Sequence, residues 1–360
     1  MHARFPVSTA SFSNKSSTIT PTPIDTAAWL VAPKIPFVVG PAEYAHPDAK
    51  QIVIKNAAVA VNPLDWAQKH VGDKKWDWIT NPSIIGQDVA GAVVEIRSEV
   101  TSFKVGDRVI AHALGFYLYG NRAAEGGFQL YTIARERMAS PIPGDLSFEK
   151  ACVIPCVVPR PRPVNGEYIL ITGGSMAVGS NAIQLAKFSG YMVVTTCSER
   201  NFAHAKKLGA DFVFNYNSPT HEADITAVLQ GKQVHVLGQL GDECRKFVVK
   251  ASFPWPKDDP KDDEEYWAYM KWVEGWNQSI AAMANGVGIE TTYVEGAELG
   301  RNEVIQAVYV DFLPTALAQG VSVASPESQV VGHGLESIQR ALEILKKGVS
   351  AKKVVGSLEE

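Results

Sequence analysis

The segment 168–186, YILITGGSMAVGSNAIQLA, constrains the fold of this chain more than any other stretch. Its first four residues are apolar, as expected for a parallel strand that is buried on both faces. Val178, Ala182 and Leu185 then recur at three- and four-residue steps, which places them on one face of a helix. The glycines at 173–174 join the two elements, because glycine admits positive φ and lets a ligand approach the backbone. The segment therefore predicts a pyrophosphate site at the start of a helix.

The glycine spacing differs from the strict dinucleotide fingerprint G-x-G-x-x-G, since the chain has Gly173, Gly174 and Gly179 instead. Taken alone, the turn is also compatible with an ordinary strand-to-helix connection in another α/β protein. The residues that follow favour the nucleotide site. A second apolar strand, MVVTTC (192–197), comes directly after the predicted helix, as it does in a parallel α/β sheet.

The end of this second strand indicates which nucleotide is bound. An NAD site usually has an acid about twenty residues after the glycines, where it binds the ribose 2′-hydroxyl. Here Ser198 and Arg200 stand at the strand end, with Glu199 between them. A hydroxyl and a guanidinium suit a 2′-phosphate, so the sequence favours NADPH. Tyr216 ends the next β segment and is either an adenine contact or a half-buried strand end.

Length and composition set the broad class of protein. With 360 residues the chain is long enough for two domains, and 46% hydrophobic content is ordinary for a globular protein. A formal charge of −4 gives no reason to expect nucleic acid or a membrane surface as a partner. Four cysteines do not form a disulfide framework, which favours a reducing, cytoplasmic location. Residues 1–25 are rich in Ser and Thr, so we expect a disordered extension.

The remaining sequence divides into β-rich and alternating parts. Residues 26–155 contain several short β runs, and 165–217 alternate strand and helix, as in a parallel sheet. Two amphipathic helices are predicted beyond the charged loop 254–265. The apolar face of the first consists of Tyr266, Tyr269, Met270, Val273, Trp276 and Ile280. The apolar face of the second helix consists of Leu335, Ile338, Leu342 and Leu345. This helix is predicted to end at Gly348 and to be followed by a β segment.

Several further motifs occur in a fixed order along the chain. They are AVAVNPLDW (58–66), IIGQDVAGAVVEI (84–96), FKVGDRV (103–109), GGFQLYT (126–132), the glycine turn, CSERNF (197–202), FNYNSP (214–219) and GVSAKKVV (348–355). In this order the chain resembles the medium-chain dehydrogenase/reductase superfamily, most closely its zinc-independent quinone oxidoreductases and the enoyl reductases of fungal secondary metabolism. The resemblance implies an α/β fold with a GroES-like β-rich domain (26–160), a Rossmann NADP-binding domain (161–315) and a return to the first domain (316–360).

Relatives with a catalytic zinc hold it through a cysteine, a Gly-His-Glu element and a further cysteine or acid. The corresponding positions here are Asn62 and 86–88, Gly-Gln-Asp. Zinc prefers thiolate and imidazole ligands, so an amide at Asn62 and another at Gln87 argue against the metal. Hydride transfer from NADPH to an activated alkene or quinone then remains as the expected chemistry.

The resemblance also implies roles for single residues. Asn62 is expected to donate a hydrogen bond to the reacting oxygen, and Asp65 lies beside it; Tyr117 or Tyr119 is expected to donate the proton. Asn62 is alternatively part of a turn, Asp65 a helix cap, and the tyrosines surface residues, with water as the proton source. The implied cofactor contacts are Pro63, Leu64, Asp65, Trp66, Gly173, Gly174, Ser175, Met176, Ala177, Val178, Gly179, Ser198, Arg200, Asn201, Tyr216, Val354 and Val355.

Two stretches depart from the family pattern. Residues 156–166 contain three prolines where relatives have a substantial helix. Residues 231–247 are expected to be too few for a strand, a helix and another strand, so an element of the parallel sheet is expected to be missing.

Two functions therefore stay open. The first is an NADPH-dependent, zinc-free reductase, monomeric or homodimeric, that acts on an enone, a quinone or a polyketide-like acyl chain. The second is a truncated or degenerate homologue that binds nucleotide with little catalysis. A zinc-type alcohol dehydrogenase is a third, weaker alternative.

Overall fold

A computed structural model describes residues 23–72, 75–120, 122–154, 166–232, 234–237, 247–250, 262–286, 290–293 and 304–359. The predicted N-terminal extension and the proline-rich stretch after residue 155 therefore lie almost wholly outside the described residues. Among the helices that are described, none combines the length and the apolar character that a bilayer-spanning helix needs.

The described strands and helices follow one another along the chain with short connections. The strands are β1 (Asp25–Trp29), β2 (Val38–Ala42), β3 (Gln51–Ala60), β4 (Asp88–Ile96), β5 (Arg108–His112), β6 (Tyr131–Arg135), β7 (Ala139–Pro141), β8 (Tyr168–Ile171), β9 (Met192–Cys197), β10 (Phe212–Asn215), β11 (Val234–Leu237), β12 (Phe247–Lys250), β13 (Glu290–Tyr293), β14 (Glu327–His333) and β15 (Lys352–Ser357). The helices are α1 (Pro63–Val71), α2 (Phe148–Ala151), α3 (Ala177–Phe188), α4 (Phe202–Lys207), α5 (His221–Leu229), α6 (Asp263–Gly286), α7 (Leu313–Ala318) and α8 (Ser337–Lys347), with a π-helical turn over Gln306–Phe312 before α7.

The first large sheet has seven strands and is mostly antiparallel. Its order is β14-β15-β3-β4-β5-β7, and β6 pairs with β3. β15 is parallel to β14 and antiparallel to β3, so the end of the chain lies in the middle of a sheet whose other strands come mainly from residues 51–141. β15, from the C-terminal part of the chain, thus shares one sheet with strands of the β-rich part.

The second sheet has six parallel strands in the order β10-β9-β8-β11-β12-β13. This is the doubly wound order 3-2-1-4-5-6, in which the strand order reverses between the first and fourth strands, here β8 and β11. Ile169 and Ile171 of β8 pack into a cluster with α3, whereas Leu170 packs on the opposite face with Ile225 of α5. Both faces of the strand are therefore covered, as its continuous apolar run predicts.

The expected loss of a strand between residues 231 and 247 is wrong. β11 and β12 each need only four residues, and they pair directly with each other at Val236 and Val248. The connection between them, 238–246, lies outside the described residues. Among the described strands the order of a six-strand doubly wound sheet is present, so the fold keeps the strand-order reversal at which this class of sheet binds ligands.

The other predicted elements agree with the structure. α6 buries Tyr266 and Val273 and exposes Trp267, in keeping with the predicted apolar face; the side chain of Ile280 lies outside the described residues. α8 buries Leu342 and ends at Gly348, whose φ of 85° is a conformation that glycine adopts without strain.

Candidate active site

The glycine turn after β8 is built for close contact between strand and helix. Gly173 has a φ of 71°, in the left-handed region that favours glycine. A Cβ on Gly174 would collide with the Thr195 hydroxyl, and a Cβ on Gly179 would collide with the carbonyl oxygen of Gly173. These glycines are therefore required by the packing of α3 against the strands.

The N-terminus of α3 lies at the carboxyl end of β8, beside the strand-order reversal. No side chain caps this helix, and Met176 at the N-cap position is 64% exposed. The turn is held against β9, because the backbone amide of Gly174 donates to the Thr196 carbonyl at 2.9 Å. An uncapped, positive helix end on a rigid turn suits a pyrophosphate.

The tip of β9 brings the predicted 2′-phosphate residues together. The Asn201 amide donates to the Ser198 hydroxyl at 3.1 Å and to the Ser350 hydroxyl at 3.2 Å. Arg200 is exposed, and within the described part of the chain its guanidinium has no hydrogen bond or ion pair. Tyr216, just beyond β10, is 51% exposed. Ser198 and Asn201 are thus held together by hydrogen bonds, and the exposed Arg200 lies between them in sequence.

A second polar cluster lies in the seven-stranded sheet and is almost completely buried. Lys353 of β15 places its ammonium 2.6 Å from Oδ1 of Asn62 and 2.7 Å from Oδ2 of Asp88. The Asn62 amide nitrogen donates to the same Asp88 oxygen at 2.9 Å. These contacts fix the amide orientation, because the opposite orientation would place an N–H₂ group against the ammonium and an oxygen against the carboxylate.

The cluster continues into the first turn of α1. Oδ2 of Asp65 accepts a hydrogen bond from the backbone N–H of Asn62 at 2.7 Å, which is the helix-cap alternative predicted for Asp65. Asp65 is fully buried, and burial, reinforced by the charge of Asp88, raises its pKa to about 8. The backbone contact with Asn62 and the charge of Lys353 oppose this shift without reversing it.

Asp88 has the opposite pKa shift. Burial would raise the pKa of this carboxyl, but the charge of Lys353 and then the neighbouring His112 outweigh burial and lower it to about 2. At neutral pH the cluster therefore contains one carboxylate, Asp88, beside one ammonium, while Asp65 is mainly protonated.

His112 joins the cluster to an aromatic loop. Its Nδ1 lies 3.6 Å from Oδ1 of Asp88, and its Nε2 lies 3.1 Å from the Tyr117 hydroxyl. Tyr117 is 3% exposed and its ring stacks on Tyr119 with centroids 5.8 Å apart. The Tyr117 hydroxyl thus contacts His112, whose other ring nitrogen lies near Asp88 at a distance longer than a hydrogen bond.

The chain matches two family models, an "Alcohol dehydrogenase GroES-like domain" over residues 48–144 and a "Zinc-binding dehydrogenase" over residues 177–239. It is 41% identical to the dehydrogenase pigH of Monascus ruber over 369 aligned positions, which cover 93% of this chain and 100% of the relative. The chain belongs to the medium-chain dehydrogenase/reductase superfamily. That alignment is longer than the 360 residues of the chain, so the relative has residues with no counterpart here.

Two further comparisons agree with this membership. The trans-enoyl reductase himH of Aspergillus japonicus is 34% identical, with 92% of this chain and 97% of the relative covered. The crystal structure of an alcohol dehydrogenase superfamily protein from Novosphingobium aromaticivorans superposes with a TM-score of 0.72 at 21% identity, over 93% and 100% of the two chains. The protein is therefore an oxidoreductase, and its nucleotide-binding domain implies a nicotinamide cofactor.

The residues of this chain fit that cofactor. Three features lie at the carboxyl ends of the neighbouring parallel strands β8 and β9. They are the glycine turn, in which an added Cβ would collide with neighbouring atoms, the uncapped start of α3, and the polar tip of β9. Pro63 is exposed and Leu64 half-buried at the start of α1, whereas Trp66, Val354 and Val355 are buried. The backbone carbonyl of Val354 accepts a bond from Val61. The two valines thus offer a cofactor no exposed side chain.

The residues do not fit the metal that the second family description implies. Within the described ranges, no group of three or more His, Cys, Asp and Glu side chains is arranged to hold an ion. The Lys353 ammonium occupies the space between Asn62 and Asp88, where a divalent cation would meet a like charge. Cys152 is fully buried, and burial, then the charge of Asp88, raises the pKa of its thiol, which disfavours the thiolate that zinc requires.

Asn62, Asp65 and Tyr117, the three candidate catalytic residues, lie in or next to one connected cluster. The sequence pointed to Asp88 only as a position that corresponds to a zinc ligand, and it assigned neither Lys353 nor His112 to the site. A signal for Lys353 exists in the sequence, because a lysine inside the apolar run KKVVGS of a strand covered on both faces has to be paired.

Proposed function

We propose that this protein is an NADPH-dependent, zinc-free oxidoreductase that reduces an activated C=C bond or a quinone. The observation that carries the proposal is the Lys353 ammonium between Asn62 and Asp88, at the positions that supply zinc ligands in metal-dependent relatives. An alcohol or ketone reaction would lack its Lewis acid there. Reduction of a conjugated alkene needs instead a positioned nicotinamide, a hydrogen-bond donor and a proton.

NADPH, when bound, supplies the hydride. The N-terminus of α3 binds its pyrophosphate, and Ser198, Arg200 and Asn201 bind its 2′-phosphate, while Tyr216 covers the adenine. Asn62 uses one amide N–H on Asp88 and keeps a second, which we assign to the substrate oxygen that gains negative charge. Tyr117, supported by His112, and the protonated Asp65 are the proposed proton carriers.

Similarity to a trans-enoyl reductase from a fungus supports a small-molecule substrate, and we propose an α,β-unsaturated acyl chain of polyketide type. We further propose a cytoplasmic protein, monomeric or homodimeric, with a catalytic domain over residues 26–160 and 316–360 and a nucleotide-binding domain over 161–315. The complete six-strand order supports an active enzyme over a degenerate nucleotide-binding homologue.

The test combines binding, turnover and metal content of the purified protein. We expect NADPH to bind with micromolar affinity, as detected by its fluorescence, and to be oxidised in the presence of an enoyl thioester or a quinone. An unactivated ketone is the matched negative substrate, and a chelator should not change the rate. Failure to bind NADPH at high micromolar concentration would refute the proposal; NADPH binding without turnover would favour the degenerate homologue. One equivalent of zinc by elemental analysis would revive the alcohol dehydrogenase alternative.

A further inference from the structure

Lys353 carries a charge that the fold has taken out of water. Its side chain is 5% exposed, and the Asp88 side chain that it contacts is fully buried. Placing an ammonium in such a position is costly unless hydrogen bonds and an opposite charge compensate it. Here two short contacts, 2.6 Å to an amide oxygen and 2.7 Å to a carboxylate oxygen, provide that compensation.

Within the described residues, the shortest ion pair of this cluster joins the Lys353 ammonium and the Asp88 carboxylate. Asp88 stays ionised because Lys353 and His112 lower its pKa, whereas burial keeps most of Asp65 protonated at neutral pH. The Lys353 ammonium therefore faces an ionised Asp88 carboxylate. Removing Lys353 alone would leave the Asp88 carboxylate without its ammonium partner, while removing both charges together would delete the ion pair and keep side chains of similar shape.

Lys353 also determines the position of the residues that begin α1. It is 291 positions from Asn62 in sequence, yet its ammonium holds the Asn62 amide oxygen. Asn62 in turn anchors Asp65 through its backbone N–H, and the Val61 amide donates to the Val354 carbonyl at 3.0 Å. The strand β15 thus fixes residues 61–65 by a side-chain contact and a backbone contact.

We propose that Lys353 is a positioning residue of the reductase site, a fixed internal cation that orients the Asn62 amide and the start of α1 toward the nicotinamide. The inference rests on the proposed function, because it assigns the nicotinamide end of the cleft to residues 62–66. It explains how a site without a metal keeps a positive charge and a defined donor geometry at the same place. Lys353 acts through Asn62 and need not touch the substrate.

The experiment removes both charges with Lys353→Met/Asp88→Asn, in the wild-type chain and in the Asn62→Ala background. The control is Lys352→Met, because this neighbouring lysine points outward and pairs with Glu327 at 2.7 Å on the surface. Each variant is titrated with NADPH and with 2′,5′-ADP, which occupies only the adenosine end, and kcat and KM are measured with an enoyl thioester or a quinone.

We expect the double variant to bind 2′,5′-ADP within twofold of wild type, and to lose at least tenfold in NADPH affinity or in kcat. Lys352→Met should change neither quantity more than twofold. In the Asn62→Ala background the double substitution should add less than a twofold loss, because the residue through which Lys353 acts is already gone. This non-additivity separates positioning from a general effect on the fold.

Several results would overturn the inference. One is an NADPH affinity and a kcat of the double variant that both stay within twofold of wild type. Another is a loss of 2′,5′-ADP affinity as large as the loss of NADPH affinity. A third is that the double substitution lowers NADPH affinity or kcat as much in the Asn62→Ala background as in the wild-type chain. If the double substitution prevents folding, the single variant Lys353→Arg decides. It keeps the charge but changes the donor geometry, so unchanged kcat would refute positioning and a tenfold loss with intact 2′,5′-ADP binding would support it. Failure of the wild-type chain to bind NADPH would instead refute the proposed function.

Discussion

Asp65 and Asp88 are two fully buried carboxyl groups in one cluster whose pKa values shift in opposite directions. Asp88 has the ammonium of Lys353 beside it, whereas Asp65 has mainly a backbone N–H as its hydrogen-bond partner. The pKa of Asp88 falls to about 2 and that of Asp65 rises to about 8. At neutral pH the Asp88 side chain is therefore ionised, whereas the Asp65 side chain is mainly protonated.

The raised pKa of Asp65 predicts a pH-dependent stability. Between the unfolded value of 3.8 and about 8, the folded state binds the proton that the unfolded state has lost, so the free energy of unfolding falls as pH rises. From pH 6 to 8 we expect a loss on the order of 2 kcal/mol. Asp25, with a pKa raised to about 6 by burial, contributes mainly below this window.

The variant Asp65→Asn keeps an acceptor for the Asn62 amide and removes the titration. Its free energy of unfolding, measured in urea at pH 6 and pH 8, should change much less than that of wild type. If the free energy of unfolding changed equally between pH 6 and pH 8 in the variant and in wild type, Asp65 would be ionised in the folded state at neutral pH.

Arg200 is the residue on which the predicted preference for NADPH depends. Its side chain is exposed, and its guanidinium has no hydrogen bond or ion pair within the described chain. Removing it should therefore weaken contacts with a ligand without breaking a contact inside the protein. Arg200→Ala should weaken NADPH by about tenfold, the value of one charge-assisted hydrogen bond, and NADH by less than twofold. Arg340 is an exposed arginine of α8, and the variant Arg340→Ala is the control for the change in net charge. Equal losses for NADPH and NADH would refute the 2′-phosphate role.

At the scale of single elements, α3 shows how the glycine variant of the fingerprint still allows close packing. Gly179 is the third residue of the helix, and its missing Cβ lets the first turn approach the Gly173 carbonyl. The strict fingerprint uses its third glycine for the same close packing of helix and strand. The spacing differs, but the physical requirement is the same.

Gly179→Ala should therefore destabilise the protein by about 1–3 kcal/mol, because the new methyl group meets a backbone atom that cannot rotate away. Gly275→Ala in α6 is the matched control, since a Cβ there meets nothing within 4 Å. That change should stabilise by about 0.5–1 kcal/mol through helix propensity. Urea unfolding of both variants measures the two effects, and NADPH titration shows whether α3 has moved. A stable Gly179→Ala protein with normal NADPH affinity would contradict the packing role.

Elements defined by local patterns were predictable from the sequence. The apolar run of β8, the three- and four-residue steps of α3 and the glycine that ends α8 identify those elements within a residue or two. The expectation of a missing strand failed because it counted residues for a full strand, helix and strand, whereas β11 and β12 are only four residues each. Short central strands satisfy their backbone groups from both neighbours, and no local pattern reveals how short they can be.

At the scale of the whole molecule, the decisive contacts join residues that are far apart in sequence. Lys353 and Asn62 are 291 positions apart, and Ser350 reaches Asn201 over 149. No periodicity encodes such pairs, which explains why the candidate residues Asn62, Asp65 and Tyr117 were found and their connections were not. The family resemblance predicted the two sheets, but the charge balance inside the cluster became visible only in the structure.

Gln184 of α3 tests another of these long-range connections. Its amide donates to the Val323 carbonyl at 3.1 Å and accepts from the Val323 amide at 2.8 Å, so it ties the helix to the segment before β14. Gln184→Ala should cost about 1–3 kcal/mol, because the backbone groups of Val323 lose their partner. Gln278→Ala, on the exposed face of α6, should be neutral. The urea midpoint should fall with an unchanged m-value; a midpoint equal to wild type would show that water replaces the amide.

The place of β15 between β14 and β3 has a consequence for how the protein is made. While a ribosome is still adding residues before 352, β3 has an open edge and Asp88 has no ammonium to neutralise it. The described strands of the parallel sheet, by contrast, have all been made by residue 293. Synthesis can therefore complete the parallel sheet first, although strands β3 to β7 of the other sheet are made earlier. The seven-stranded sheet receives β15, which carries Lys353, only afterwards.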